Sequence, residues 1–176
     1  NFSIKNKIPL VMIYRFRIIL DAKDDILRDI EIEGSATLED FHYSIAQSFG
    51  FGGREMASFY KTNEAWEQGE EIPLLDMDEG IEPMGQAAIE SIFNADNHHL
   101  IYVYDFLDLW TFFVELMEIG EQDPSTLYPN LIFAQGDVPE EAPQKDFLSE
   151  KNNSEFSNDI NEGDLNEDEC SDADFY

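Results

Sequence analysis

The sequence predicts a single α+β domain in which one helix packs on a mixed β-sheet. Three observations carry this prediction: two alternating segments near the N-terminus, one amphipathic segment after them, and an aromatic stretch at residues 100–119. The chain has 176 residues, 43% of them hydrophobic, which is enough for one ordinary core. We expect a folded domain at 12–144, an N-terminal extension at 1–11 and an acidic, disordered C-terminal tail at 145–176.

The first two segments predict an N-terminal β-hairpin. Residues 13–20 and 26–33 alternate between apolar and polar side chains, which is the period of a half-buried strand. A short polar connection separates them, as in a hairpin. Arg15 and Arg17 lie on the outward face of the first strand, where we expect them to pair with the outward acids of the second.

A helix is predicted over residues 38–49. Thr37 is a good N-cap, and Gly50 occupies the position where a left-handed C-cap residue belongs. The apolar side chains recur at three- and four-residue spacing. His42 lies beside this apolar stripe, so we expect a neighbouring polar group to satisfy its ring.

The middle of the chain predicts shorter elements. We expect a strand at 56–61, an acidic loop at 63–71, an extended piece at 72–75 and a modest helix at 84–93. The helix prediction rests on Pro83, which is favoured at a helix start.

The aromatic stretch predicts two core strands joined by an acidic turn. Residues 100–104 are apolar on both faces, which suits an interior strand. Residues 105–108 form the turn, and residues 110–117 form the next strand. The second segment also fits a helical stripe, but its aromatic and β-branched content favours a strand. Residues 131–133 are a last short strand or a docking segment, and the element order as a whole is similar to a β-grasp arrangement.

The charge distribution excludes some classes of partner. The formal net charge is −29, and residues 62–144 contain no Lys or Arg. Nucleic-acid and anionic membrane surfaces require clustered basic residues, so we expect neither direct nucleic-acid binding nor membrane binding. The single cysteine, Cys170, excludes an intramolecular disulfide and a cysteine zinc cluster, and it favours a cytoplasmic location.

The first functional hypothesis is a non-enzymatic protein-interaction module with an acidic surface that binds a basic protein partner. Its candidate surface is an exposed tryptophan in an acidic loop, a residue type enriched at the centres of interfaces. The residues are Trp66, Glu64, Glu67, Glu70 and Glu71. The alternative for Trp66 is packing over an edge of the sheet.

The second hypothesis is a metal-binding domain or a metal-dependent hydrolase. Histidine and carboxylate side chains together can hold a divalent metal. The candidate cluster is His42, His98, His99, Asp105 and Asp108. Two points argue against this cluster. Adjacent side chains such as those of His98 and His99 point in opposite directions on a strand, and aspartates are common in turns because their carboxylates accept backbone N–H groups there. No cofactor is predicted.

A third hypothesis is that the acidic half of the chain mimics DNA.

The stretch at residues 102–110 carries a family resemblance. Its sequence, Tyr-Val-Tyr-Asp-Phe-Leu-Asp-Leu-Trp, resembles the hallmark of the plasmid ORF-3-like family, also labelled insertion-element passenger proteins of TnpR type. The resemblance implies a compact α+β fold and an uncharacterised bacterial protein, with no activity to carry over. Leu107 replaces a glycine of the family pattern, which predicts a turn without positive φ.

Overall fold

The computed structural model describes residues 10–144, and what the sequence predicts for 1–9 and 145–176 lies outside that range. The described residues form one domain with seven strands and two helices. The strands are β1 (Met12–Leu20), β2 (Leu27–Glu33), β3 (Ala57–Thr62), β4 (Gln68–Pro73), β5 (His99–Tyr104), β6 (Trp110–Glu121) and β7 (Asn130–Gln135), and the helices are α1 (Leu38–Ser48) and α2 (Ile89–Ile92).

The seven strands make one sheet in the order β4-β3-β5-β6-β1-β2-β7. All six neighbouring pairs are antiparallel, so the prediction of a mixed sheet is wrong. The reason is local, because three of the pairs are hairpins, whereas parallel neighbours require a long crossover connection. The β-grasp arrangement is not confirmed by this strand order.

The N-terminal hairpin is confirmed, with the predicted faces. β1 pairs with β2 so that Arg17 stands opposite Asp29 and Arg15 opposite Glu31. The side chains of these pairs meet at 2.8 Å and 2.6 Å. Each arginine is partly exposed to solvent, so the ion pairs help to fix the register of the hairpin more than they stabilise it.

Helix α1 begins where the sequence predicts and ends one residue earlier, at Ser48. Thr37 forms a capping box with Asp40, in which the Thr37 hydroxyl accepts from the Asp40 amide and the Asp40 carboxylate accepts from the Thr37 amide. Gly50 has a φ of 81°, the left-handed conformation expected just after the helix.

The core lies between α1 and the face of the sheet beneath it. Its largest side chains are aromatic, and they come from both the helix and the strands. Phe16, Phe41, Phe59, Phe93, Tyr102 and Phe112 are all completely buried. Phe16 lies between Phe41 and Phe93, with ring centroids 4.6 Å from each. Burying each such ring stabilises the fold by roughly 1.5–3 kcal/mol.

The side chain of Arg28 links β7 to the C-terminal end of α1 through hydrogen bonds. Its guanidinium is buried and donates to the carbonyl of Ser48 at 3.0 Å and to that of Gln135 at 2.8 Å. Burial lowers the pKa of Arg28 from its usual value, and backbone oxygens replace the water that the charge has lost. A cation beside the C-terminal carbonyls of α1 also suits the helix dipole.

Two of the shorter elements differ from the prediction. The helix predicted at 84–93 is only one turn, Ile89–Ile92, because residues 84–86 form a separate turn and the backbone around them bonds to other segments instead. Met84 donates to Pro73, and Ala87 accepts from Leu38. Strand β4 begins at Gln68, inside the predicted acidic loop, because pairing with β3 keeps this polar segment extended.

The aromatic stretch forms the two predicted strands, β5 and β6. β5 is interior, between β3 and β6, as its two apolar faces indicate. β6 pairs with β5 and β1 along most of its length, which decides between strand and helix in this segment. Within residues 10–144, no helix is both long enough and apolar enough to cross a membrane.

Candidate functional site

His42 is buried in the interior of the domain, on the sheet side of α1. Its side chain is fully inaccessible to solvent, and its Nδ1 atom lies 2.7 Å from the hydroxyl of Tyr102 on β5. The rings of Tyr43 and Tyr104 also lie close to it. The prediction that a polar neighbour satisfies His42 is confirmed for Nδ1, and the partner, Tyr102, was not foreseen.

The environment of His42 favours the neutral imidazole. Burial lowers its pKa from 6.5 to about 4, and the backbone of Gly53 opposes that shift only in part. Burial also raises the pKa of Tyr102 well above 10, so this phenol remains protonated. The Nε2 atom of His42 has no hydrogen-bond partner among the described residues. At neutral pH, His42 is therefore an uncharged core residue.

The two adjacent histidines diverge, as predicted for a strand. His98 precedes β5, is exposed, and its Nε2 atom lies 2.6 Å from the carbonyl of Ala95. His99 is the first residue of β5 and lies 3.6 Å from the carboxylate of Glu115 on the neighbouring strand. Because side chains alternate along a strand, His99 and Tyr102 are on opposite faces of the sheet. His99 is therefore separated from His42 by the sheet itself.

Asp105 and Asp108 belong to the turn between β5 and β6. Asp105 has a φ of 60°, and its Oδ1 accepts from the amides of Leu107 at 3.0 Å and Asp108 at 3.4 Å. The side chain of Asp108 points to solvent. Asp105 therefore organises the turn through backbone hydrogen bonds, as aspartates do in Asx-turns.

The prediction of a turn without positive φ is correct for Leu107 but wrong for the turn as a whole. Positive φ occurs at Asp105 and at Leu109, whose φ is 55°. The Leu109 amide donates to the carbonyl of Asp105 at 2.6 Å, which closes the turn across the intervening residues. The left-handed conformations therefore lie at the two ends of the turn.

The structure does not bring the predicted polar cluster together. His42 is in the core, His98 and Asp108 are exposed in different loops, and His99 lies on the other face of the sheet. Among residues 10–144, no group of three or more His, Cys, Asp or Glu side chains is placed to hold a metal ion. Strand alternation and turn chemistry therefore separate the residues of the predicted metal site.

Trp66 packs over the sheet and is only partly exposed. It lies in the β3–β4 loop with a φ of 60°. Its ring centroid is 4.5 Å from that of His99 and 4.9 Å from that of Phe113, on the face opposite α1. Asn63 Oδ1 accepts from the amides of Ala65 and Glu67, which fixes the loop around the tryptophan.

The acids around Trp66 differ in their availability. Glu64 and Glu67 are exposed, and Glu70 is exposed but pairs with Lys61 at 2.9 Å. Glu71 accepts from the hydroxyl of Ser58 at 2.6 Å and is half-buried. We define the hairpin surface, which belongs to the β3–β4 hairpin, as Trp66, Glu64, Glu67 and Glu70. Glu71 is left out because its carboxylate is hydrogen-bonded to Ser58 within the sheet.

Sequence reasoning missed a groove between α1 and β7. It consists of two adjoining depressions of about 420 and 460 Å³, which share Ser44, Gln47 and Pro129. Leu131 of β7 lines one of them and is 47% exposed. We call it the α1–β7 groove. The only sequence signal for it is the uncharged run at 130–135 in a strongly acidic chain.

Comparisons with known proteins identify a family and a solved structure of similar fold. No curated protein matches the chain. The crystal structure of a protein of unknown function from Methanosarcina mazei Go1 matches with a TM-score of 0.65 and 21% identity, covering 74% of this chain and 73% of the other. The family described as plasmid pRiA4b ORF-3-like protein matches residues 12–149. The chain therefore belongs to the plasmid pRiA4b ORF-3-like family.

Proposed function

We propose that this chain is a non-enzymatic protein-interaction module that binds a basic protein partner through the hairpin surface. The observation that carries the proposal is the charge of the folded domain. Residues 10–144 contain 28 Asp and Glu against six Lys and Arg. A domain of this composition attracts a cationic partner over distances of about one Debye length, ~8 Å at physiological salt.

The few cations of the domain do little to neutralise its surface. Arg15, Arg17 and Lys61 are each paired with carboxylates, and Arg28 is buried against backbone carbonyls. Most of the carboxylates of the domain therefore have no cationic partner within residues 10–144.

The hairpin surface combines charge with an aromatic anchor. Trp66 is partly exposed, and its position is fixed by contacts with His99 and Phe113. A tryptophan already held in place loses little conformational freedom on binding, which favours affinity. Glu64 and Glu67 flank it in the same loop and are both exposed. A basic protein with an apolar contact point would match both features.

A bacterial, cytoplasmic setting remains part of this proposal, as does a role as a passenger of insertion elements. The single cysteine is consistent with a reducing compartment. The predicted TnpR-type description remains a prediction.

The test begins with capture of binding proteins by the full, tagged chain, followed by purification of the dominant one. Its affinity is then measured at several salt concentrations. We expect a protein of net positive charge, and binding that weakens several-fold as salt rises from about 50 to 300 mM. An acidic partner, or binding that does not respond to salt, would contradict the proposal.

A matched pair of variants locates the contact. The triple variant Glu64→Gln, Glu67→Gln, Glu70→Gln removes three charges from the hairpin surface, and we expect it to weaken binding. The control removes three exposed charges elsewhere, at Glu79, Glu82 and Glu140. Equal effects of the two variants would indicate attraction by net charge alone and would argue against the hairpin surface.

A further inference from the structure

The two edge strands of the sheet differ in charge: β4 is acidic and β7 is uncharged. β4, at one edge, carries Glu70 and Glu71 and ends at Pro73. Charges and proline are common devices that keep an edge strand from pairing with other chains. β7, at the other edge, has the sequence Asn-Leu-Ile-Phe-Ala-Gln, with neither a charge nor a proline.

β7 exposes apolar side chains on both faces. Leu131, Ile132 and Phe133 are 47%, 40% and 46% exposed. In the part of the chain that the structure describes, β7 bonds only to β2, so its outer edge is open. An open, uncharged edge presents unpaired backbone groups, and extended peptides bind such edges by adding a strand.

The α1–β7 groove lies beside this edge, on the helix side of the sheet. Leu131 pairs with Ile30, and both line the groove together with Pro129. Ser44 and Gln47 of α1 form the facing wall. Alternate side chains of a strand added to β7 would point toward the helix side, because neighbouring strands keep their faces in register.

One end of the groove is acidic. Glu33 and Asp40 line it beside Tyr128, near the start of β7, and neither depression is lined by a Lys or Arg. Asn130 stands opposite Glu31, so Glu33 lies just beyond the first residue of β7 and borders the groove at its strand end, whereas Asp40 borders it from α1. The groove therefore offers an apolar floor in its middle and negative charge at one end.

We propose that the α1–β7 groove binds an extended segment of a partner protein, which adds to β7 as an eighth strand. Apolar side chains of that segment occupy the floor of the groove, and a Lys or Arg pairs with Glu33 and Asp40. This inference goes beyond the hairpin surface, which lies at the opposite edge of the sheet, and each can fail without the other.

Charge disfavours two other occupants. Residues 145–176 of this chain carry 11 Asp and Glu against two Lys, so most of that segment would be repelled by Glu33 and Asp40. A second copy pairing through β7 would bring an uncharged strand and a second domain of the same negative charge. In the first, the two lysines are outweighed by 11 acids, and in the second, the edge strand brings no cation.

The test uses three labelled ten-residue peptides and the full chain. The peptides share an alternating valine–threonine pattern and differ at the two valine positions nearest one end, which carry lysine, glutamine or glutamate on the same face as the remaining valines. Fluorescence anisotropy at low salt gives their affinities. We expect the lysine peptide to bind most tightly and the glutamate peptide most weakly, since the two carboxylates of the groove attract the first and repel the second.

Variants assign the contact to the groove. Glu33→Gln with Asp40→Asn removes both charges and keeps side-chain acceptors, including the one in the α1 capping box. We expect it to weaken binding of the lysine peptide about fivefold. The matched control, Glu64→Gln with Glu67→Gln, removes two charges at the opposite edge and should leave that affinity unchanged. Leu131→Lys should abolish binding of the lysine peptide.

Hydrogen exchange reports the mode of binding. We expect the lysine peptide to slow amide exchange in residues 130–135, since the added strand accepts hydrogen bonds from β7. Any of four results would overturn the proposal. These are no binding of the lysine peptide up to about 1 mM, equal affinities for the three peptides, protection elsewhere than β7, or a free chain whose β7 is already covered by residues 145–176 or by a second copy.

Discussion

The hydroxyl of Tyr102 lies 2.7 Å from Nδ1 of His42, so a strand and the helix above it share a buried hydrogen bond. The phenol keeps its proton and can donate to Nδ1, and in that tautomer the proton of the neutral ring is on Nε2. That N–H group is buried and forms no hydrogen bond of ordinary geometry with the described residues, although the backbone of Gly53 is near enough to favour the protonated ring. The His42–Tyr102 pair therefore gives the core one short hydrogen bond and one buried nitrogen, Nε2 of His42, that lacks a well-formed one.

The buried imidazole makes stability depend on pH. The pKa of His42 is about 4 in the folded chain and 6.5 in the unfolded chain, so the unfolded state binds more protons between these values. Stability therefore falls as pH drops through this window. We expect a loss of about 2 kcal/mol in the free energy of unfolding between pH 7 and pH 5, measured by urea denaturation.

The variant His42→Phe isolates this contribution from that of the carboxylates. We expect the variant to lose less stability than the wild type over the same pH interval. If both chains show the same pH dependence, the histidine is not protonated on unfolding and this account of its role is wrong.

The hydrogen bond itself is tested by Tyr102→Phe. The change leaves Nδ1 of His42 buried without its donor, and we expect a loss of about 1–3 kcal/mol in the free energy of unfolding. Tyr14→Phe is the matched control, because Tyr14 is also a buried core tyrosine, but its hydroxyl has no hydrogen bond to the described residues. Similar losses in the two variants would mean that packing, and not the hydrogen bond, is responsible.

The acidic turn offers a second matched pair. Asp105→Ala removes the acceptor for two backbone amides, so we expect a loss of about 1–2 kcal/mol, whereas Asp108→Ala should change stability by less than about 0.5 kcal/mol. Asp105→Asn keeps an oxygen acceptor and should recover most of the loss. Thermal denaturation measures all three. Equal effects at the two positions would point to a shared role that the turn geometry does not provide.

Substitutions at Gly136 and Gly50 distinguish the cost of a steric clash from the cost of an unfavourable backbone conformation. Both have positive φ, 78° and 81°. A Cβ at Gly136 would lie 2.7 Å from the carbonyl oxygen of Asp25, whereas at Gly50 nothing lies within 4 Å. We expect Gly50→Ala to cost about 1 kcal/mol and Gly136→Ala clearly more, because the second also displaces backbone at the end of β7. Equilibrium denaturation of both variants checks this, and equal costs would contradict the contact.

The sequence predicted most elements because their signals are local. Two-residue alternation in β1 and β2 and the caps at Thr37 and Gly50 each depend on neighbours a few residues away. The length of α2 and the start of β4 differ from the prediction, since the backbone around them bonds to other segments of the chain. Those long-range bonds override local preference, as they do for Met84 with Pro73.

By itself, the sequence determined the hairpin, the helix, the central strand pair and the strong negative charge, because pattern and composition suffice for these. Only the tertiary structure decided where the polar side chains meet. It buried His42 against Tyr102, and it bound the carboxylate of Asp105 to backbone amides of the β5–β6 turn. It also placed His99 on the face of the sheet opposite His42. It also left β7 as an open edge beside a groove. The physical reason is that strand order and the packing of α1 are set by contacts between residues far apart in the chain, which no local pattern encodes.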